Sequence, residues 1–202
     1  MKLYYSPGAC SLSPHIVALE AGVKIDIEKV DLKAKKTESG DDYLKVNPRG
    51  YVPALKLDDG SVLTEGPAIV QYLGDQKPGS GVVPACGTPD RYRLAELLNF
   101  ISTELHKGYS PLFKPNTPDA YKEIAKENLF TRFGQVDAQL QGKQYLMGDT
   151  FTGADAYLFT VVNWSRIHKI ELDRWPNLAA FMERVRKRPK VAEAMKAEGL
   201  IK

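Results

Sequence analysis

One change of pattern governs what this chain can fold into. Up to about residue 78, strand-like and helix-like segments alternate; beyond about residue 88, every apolar periodicity is helical. The stretch between them, PGSGVVPACGTPD over residues 78–90, holds three prolines and three glycines. It reads as a linker, because both residue types interrupt regular structure. The expected organisation is an α/β domain over 1–78, a connector over 79–87 and an all-α domain over 88–202. A chain of 202 residues, 43% of them hydrophobic, can bury a sizeable core without disulfide or metal staples.

In the first half, residues 2–5 form a strand candidate. Residues 11–22 have helical spacing through Leu12, Ile16, Leu19 and Val23, with Gly22 as the stop. Residues 26–31 alternate and predict a second strand. Residues 52–57 and 61–64 flank Asp58-Asp59-Gly60, a hairpin signal, and residues 66–73 look helical. Strand, helix, strand implies a parallel pair joined by a crossover, to which the hairpin adds antiparallel strands. In the second half, helices are expected over 91–107 (apolar at Leu94, Leu97, Leu98, Ile101 and Leu105), 118–140 with proline in the first turn, 152–167, 176–187 and 191–198. Thr152 and Asp155 form a capping box, whose role is folding rather than chemistry.

Composition narrows the function classes. There are 28 basic and 25 acidic residues, a net charge of +3, too mild to argue for nucleic acid. Residues 1–80 carry 10 basic and 11 acidic side chains and residues 81–202 carry 18 and 14. The excess sits in Arg184, Arg186, Lys187, Arg188 and Lys190, which read as a solvated helix end facing a dipole's negative pole or as a docking patch. Two cysteines, Cys10 and Cys86, rule out a disulfide scaffold and fit a reducing compartment. The opening residues show no secretory pattern and no run of about 18 apolar residues occurs, so a cytoplasmic protein with no membrane partner is expected. His15 and His168 stand alone, and no Cys/His pair has metal-ligand spacing, so no metal is expected.

Four places carry chemistry. Cys10 follows Ser6-Pro7-Gly8-Ala9 between a strand and a helix. There the unpaired N–H groups and the positive dipole end favour a thiolate able to attack a disulfide or pair with a small thiol; the plain alternative is a buried small apolar residue. Val52-Pro53 stands directly before a strand, where the missing N–H needs explaining. Glu65-Gly66 opens a helix whose amides favour an anion, with Glu65 placed to accept from an ammonium, or merely to complement its own helix. Asn99, Thr103, His106 and Lys107 fall at i, i+4, i+7 and i+8 on one helix face, a cleft lining or a solvated stripe.

Taken in order, residues 1–11 (MKLYYSPGACS), 46–55 (VNPRGYVPAL), 63–66 (LTEG), 104–107 (ELHK) and 152–155 (TGAD) resemble a cytosolic glutathione S-transferase of the bacterial beta class, over essentially the whole length. The resemblance implies a thioredoxin-like N-terminal domain plus an all-α C-terminal domain, with glutathione as co-substrate, no metal, and a homodimer. Cys10 would lie beside the glutathione sulfur and can hold it as a mixed disulfide. Lys35 would approach the glycine carboxylate, Val52 with cis-Pro53 would pair with the cysteinyl backbone, and Glu65 and Gly66 would hold the γ-glutamyl end. Asn99, Thr103, Glu104, Leu105, His106 and Lys107 would complete the site, some of them from the partner subunit. Many relatives carry serine where Gly66 stands. As activating groups Cys10 ranks first, then His106, Ser11 and Tyr5. Tyr109, Leu112, Phe113 and Trp164 are the candidate walls of an apolar pocket for small hydrophobic electrophiles, or plain core.

The leading expectation is a transferase joining the glutathione thiolate to such electrophiles in detoxification. One rival is a glutathione-dependent thiol–disulfide or peroxide reductase, or a reductive dehalogenase, with Cys10 as obligatory nucleophile. The other is a non-catalytic ligand- or partner-binding module docking through the basic 184–190 cluster.

Overall fold

The computed structural model describes residues 1–202. Five strands form one sheet in the order β3-β2-β1-β4-β5: β1 (Lys2–Tyr5), β2 (Asp26–Asp31), β3 (Lys36–Thr37), β4 (Ala54–Lys56) and β5 (Val62–Thr64). β1 is central. It runs parallel to β2, with Leu3 opposite Ile27, and antiparallel to β4, with Leu3 opposite Leu55. The crossover between β1 and β2 is α1 (Leu12–Ala21), which Gly22 ends in the left-handed conformation at φ 71°, its N–H returning to the Ala18 and Leu19 carbonyls. The hairpin β4–β5 forms at Asp58-Asp59-Gly60 and leads into α2 (Gly66–Asp75). In this half two elements escaped the sequence reading, the two-residue β3 and a single 3-10 turn at Tyr43–Lys45; in the other half the helix at Lys107–Phe113 did.

Everything after the connector is helical: α3 (Pro89–Phe100), α4 (Lys107–Phe113), α5 (Asp119–Leu140), α6 (Gly153–Val162), α7 (Pro176–Arg186) and α8 (Pro189–Ala197). The helix expected over 91–107 is not uniform. Six residues near its end, Ile101–His106, form a wide π-helical turn before α4. Hydrogen bonds in such a turn reach one residue further than in an α-helix, so the side-chain phase slips across it. The helix expected over 152–167 ends at Val162 and tightens into a 3-10 turn, Asn163–Arg166. Pro118 caps α5 instead of entering its first turn.

All ten residues of α6 are buried, which explains its near-continuous apolar run. The Asp155 carboxylate, 0% exposed, accepts from the Thr152 N–H and hydroxyl and from the Leu146 N–H, each at 2.8 Å. α1 packs against α2, α6 and α8, and one cluster of 41 buried residues runs through both halves. Arg188 reaches across with a bidentate bond to Glu20 (2.7 and 2.8 Å), a third bond to the Tyr145 hydroxyl, and its guanidinium 4.2 Å from the Phe151 ring centre. Arg184 donates to the Gln144 carbonyl, Arg186 to Asn163 Oδ1 and Lys190 to Glu193. These four cations of the basic cluster are tied down within the chain. No helix is long and apolar enough to cross a membrane.

Candidate active site

A cavity of about 720 Å³ opens between the α/β half and the helices. Its α/β side is the loop from β1 to α1, the segment before β4, and the start of α2. Its helical side is the wide turn, α4, Tyr157 of α6, and Trp164 with Ile167. Of the residues singled out in the sequence, Cys10, Val52, Pro53, Glu65, Gly66, His106, Lys107, Phe113 and Trp164 line this one space.

Cys10 stands two residues before α1 and its thiol donates to the Val52 carbonyl at 3.3 Å. Burial pushes the thiol up to about 12, outweighing the backbone N–H groups of Cys10 and Ser11, which pull the other way. In the ligand-free protein, burial thus opposes the thiolate that the helix start favours. The helix start is present, but desolvation in the crevice disfavours the anion more than the amides favour it.

Val52 precedes Pro53 through a cis peptide bond. Its N–H donates to no protein acceptor, while its carbonyl accepts only the Cys10 thiol. An edge with a free N–H and a weakly engaged C=O is ready to pair with an extended peptide. The segment is buttressed from behind, where the Tyr43 hydroxyl and the Asn47 amide both donate to the Tyr51 carbonyl at 2.8 Å. Glu65 sits at φ 70°, ψ 116°, a strained position for a side chain other than glycine. Its carboxylate meets Arg49 Nη1 at 3.2 Å; with the two side chains 72% and 65% exposed, that pair adds little stability. Gly66 opens α2, where first-turn amides lack intrahelical acceptors.

The loop carrying Cys10 is held from the far half. Gly8, at φ 69°, receives Trp164 Nε1 on its carbonyl at 2.8 Å and gives its N–H to Glu198 Oε2 at 3.0 Å. The other oxygen of Glu198 meets His15 Nδ1 at 3.0 Å, in a pair almost wholly buried.

On the helical wall, His106 Nδ1 lies 2.6 Å from the Tyr157 hydroxyl, and its ring stands edge-on to Trp164 with centres 5.0 Å apart. Burial, helped by the neighbouring Lys107, depresses the imidazole to about 4, so His106 is neutral near pH 7. Phe113 packs edge-on to Trp164 at 5.3 Å and to His168 at 4.5 Å. With Ile167 it forms an exposed apolar lip.

The remaining candidates lie outside the lining. Ser11 is fully buried and exchanges hydrogen bonds with the Ser6 backbone at 3.2 and 3.3 Å. Tyr5 packs in the core beside His15, and burial raises its phenol. Lys35 donates to the Gly50 carbonyl at 2.8 Å and stands 5.9 Å from the centre of the ring of Tyr51, which lines the cavity. Asn99 and Thr103 are exposed and bond the carbonyls of Ala95 and Asn99. Glu104 pairs with Arg132 at 2.6 Å, Leu105 is core, Leu112 packs on the core, and Tyr109 is buried with its hydroxyl 2.6 Å from Ser165. The wide turn explains the displaced stripe: within one chain the residues facing the cavity are Ser102, His106, Lys107 and Ser110, not Asn99 and Thr103.

Sequence reasoning missed Arg49, Tyr51, Ser102, Ser110, Tyr157 and Ile167, all in the lining. Arg49 and Tyr51 lay inside the 46–55 segment already noted. Tyr157 was hidden in an apolar run where a phenol reads as core.

Known proteins place this architecture. The profile of the glutathione S-transferase N-terminal domain matches residues 8–76 and that of the C-terminal domain matches residues 100–189. Glutathione S-transferase GstA of Escherichia coli O157:H7 is 48% identical over 200 residues, 99% of this chain and all of the relative. Among solved structures, a ternary complex of BphK, a bacterial GST, superposes with a TM-score of 0.97 at 57% identity, covering 98% of this chain and 100% of the other. A sphingomonad glutathione S-transferase complexed with glutathione gives 0.96 at 46% identity, with full coverage of both chains. With a thioredoxin-like half, a helical half and bacterial beta-class enzymes as its structural neighbours, this chain belongs to the glutathione S-transferase family.

Proposed function

We propose that the cavity binds glutathione along Val52 and joins its sulfur to small hydrophobic electrophiles held against Phe113 and Trp164. The observation that carries this reading is the juxtaposition of a peptide-pairing edge with no partner, the Val52 N–H, and an aromatic lip across the same space. The tripeptide's cysteinyl backbone would take the Val52 N–H and C=O, its γ-glutamyl end would meet Glu65 and the Gly66 amide, and Lys35, beside Tyr51, would approach the glycine carboxylate. Binding at Val52 displaces the Cys10 proton from that carbonyl and turns a neutral S–H donor toward the ligand sulfur. In the reaction the glutathione thiol releases its proton to solvent. The sulfur anion then forms the S–C bond as the carbon's bond to its leaving group breaks. Stabilising that anion by about 2 pK units corresponds to about 2.7 kcal/mol.

A homodimer in the cytoplasm belongs to the same reading. The exposed Asn99 and Thr103 would face the partner's site there, which accounts for their absence from the cavity of their own chain.

The test is conjugation of an aryl halide, with retention on immobilised glutathione, for the wild type and for Cys10→Ala. Conjugation that survives the substitution makes the glutathione sulfur the nucleophile. Its loss together with disulfide exchange would instead favour the reductase reading. Wild-type protein that binds glutathione yet conjugates no member of a broad electrophile panel would refute the proposal.

A further inference from the structure

We infer that Tyr157 is a positioning residue that locks His106 in the neutral tautomer protonated at Nε2, so that the ring presents a fixed N–H donor to the cavity. The geometry has four parts. Tyr157 stands on α6, every residue of which is buried, and is itself only 2% exposed, so little water competes for its hydroxyl. That hydroxyl is 2.6 Å from His106 Nδ1, with the two rings edge-on at 87°. Ser102, four residues before His106 on the wide turn, stands near the phenol, and His106 Nδ1 is the one group in the chain at hydrogen-bond distance of the phenolic hydroxyl. The phenol's own proton is thereby directed to Nδ1. An imidazole that accepts at Nδ1 and carries one proton must carry it on Nε2.

His106 Nε2 has no hydrogen-bond partner in the chain. Nor is it sealed away, since the only buried side-chain nitrogen or oxygen without a partner is Nε2 of His168. It therefore opens into the cavity that His106 lines. The charged and titratable groups around this pair are Lys107 beside the imidazole, and Cys10 and Glu65 of the α/β half, whose fields reach Tyr157. Lys107 opposes a second proton on the ring, which keeps the donor neutral. The wide turn is what brings Ser102 and His106 to one phenol while Asn99 and Thr103 face away. A neutral N–H between the Val52 edge and the aromatic lip stabilises negative charge gathering on sulfur or on a departing group without giving up its proton. This catalytic role rests on the proposed transferase reading; the tautomer itself does not.

The experiment records long-range ¹⁵N–¹H correlations of the three histidines at pH 7 in the ligand-free protein, with His106 assigned by His106→Gln. The expected wild-type spectrum has His106 protonated at Nε2 and bare at Nδ1. In Tyr157→Phe both tautomers should be populated. The aryl-halide kcat should fall about tenfold while KM for glutathione stays within twofold, and Ser102→Ala should move both readouts the same way by less. A wild-type His106 protonated at Nδ1 overturns the inference. So does a Tyr157→Phe spectrum unchanged from wild type, or an unchanged kcat in an active enzyme. If Tyr157→Phe does not fold, the wild-type spectrum and Ser102→Ala still decide. Wild-type protein that conjugates nothing but shows the Nε2–H tautomer, lost in Tyr157→Phe, removes the transferase reading and leaves the lock in place.

Discussion

Iodoacetamide offered to the ligand-free protein at pH 7 should distinguish its two cysteines sharply. Only the thiolate reacts at a useful rate. Burial moves the Cys10 thiol from its ordinary 9.0 to about 12, and each unit is a factor of ten in the ionised fraction. Cys10 is then ionised at pH 7 in about 1 molecule in 10⁵ instead of about 1 in 100, a loss of reactivity of about a thousandfold. Cys86 is exposed in the same chain and serves as the internal reference. Intact mass over time should show one rapid adduct, which peptide mapping places at Cys86, with Cys10 following far behind. Steric shielding alone would also slow Cys10, so the second readout is thiolate absorbance near 240 nm in Cys86→Ser, which should show no step below about pH 10. The linkage has a matching sign. The folded chain keeps this proton to higher pH than the unfolded chain does, so Cys10 costs stability as pH rises above 9. Alkylation of Cys10 as fast as Cys86, or an absorbance step between pH 5 and 8, would refute the desolvation argument.

Three other outcomes are expected. Gly66→Ser should fold normally, because a Cβ there meets nothing nearer than Pro53 Cγ at 3.9 Å, and should tighten glutathione binding several-fold by calorimetry through an added hydroxyl; weaker binding would count against Gly66 as a ligand contact. Asp155→Ala strands two buried N–H groups and the Thr152 hydroxyl, a loss of about 3–5 kcal/mol in urea unfolding; a loss under about 1 kcal/mol would show that the cap is dispensable. His106 is held neutral down to about 4 while its unfolded form takes a proton near 6.5. Stability contributed by that site is therefore intact above 6.5 and drains as pH falls toward 4, by about 3 kcal/mol. Between pH 7 and 4.5 the wild type should lose about 2.5 kcal/mol more than His106→Gln, and equal losses would mean that His106 is not desolvated.

The sheet's central strands were legible because their signals are local: alternation for β2, Asp-Asp-Gly for the hairpin, Gly22 for the end of α1. β3 pairs through only two residues, Lys36 and Thr37, too few for any period to register. The wide turn at Ile101–His106 was invisible for a different reason. Its apolar residues Ile101 and Leu105 keep a spacing an α-helix also allows, so nothing in the pattern betrays the slipped phase that turns Asn99 and Thr103 away. Cys10 shows the limit for chemistry. Its place ahead of a helix was readable, but the crevice that desolvates it is built from Val52, Tyr157 and Trp164, which come together only through tertiary packing. Tyr157 is the mirror case, a functional-looking hydroxyl inside a segment that every sequence criterion assigns to the core.

Gly8 has its peptide groups anchored 156 and 190 positions downstream, by Trp164 and Glu198. During synthesis the thiol-bearing loop precedes both partners, so the two bonds that hold Gly8 can form only after Trp164 and Glu198 have followed it. Fraying of the distant segment after α8, by trimming or by a bulky fusion, would be felt at the mouth of the cavity without a single lining residue being altered.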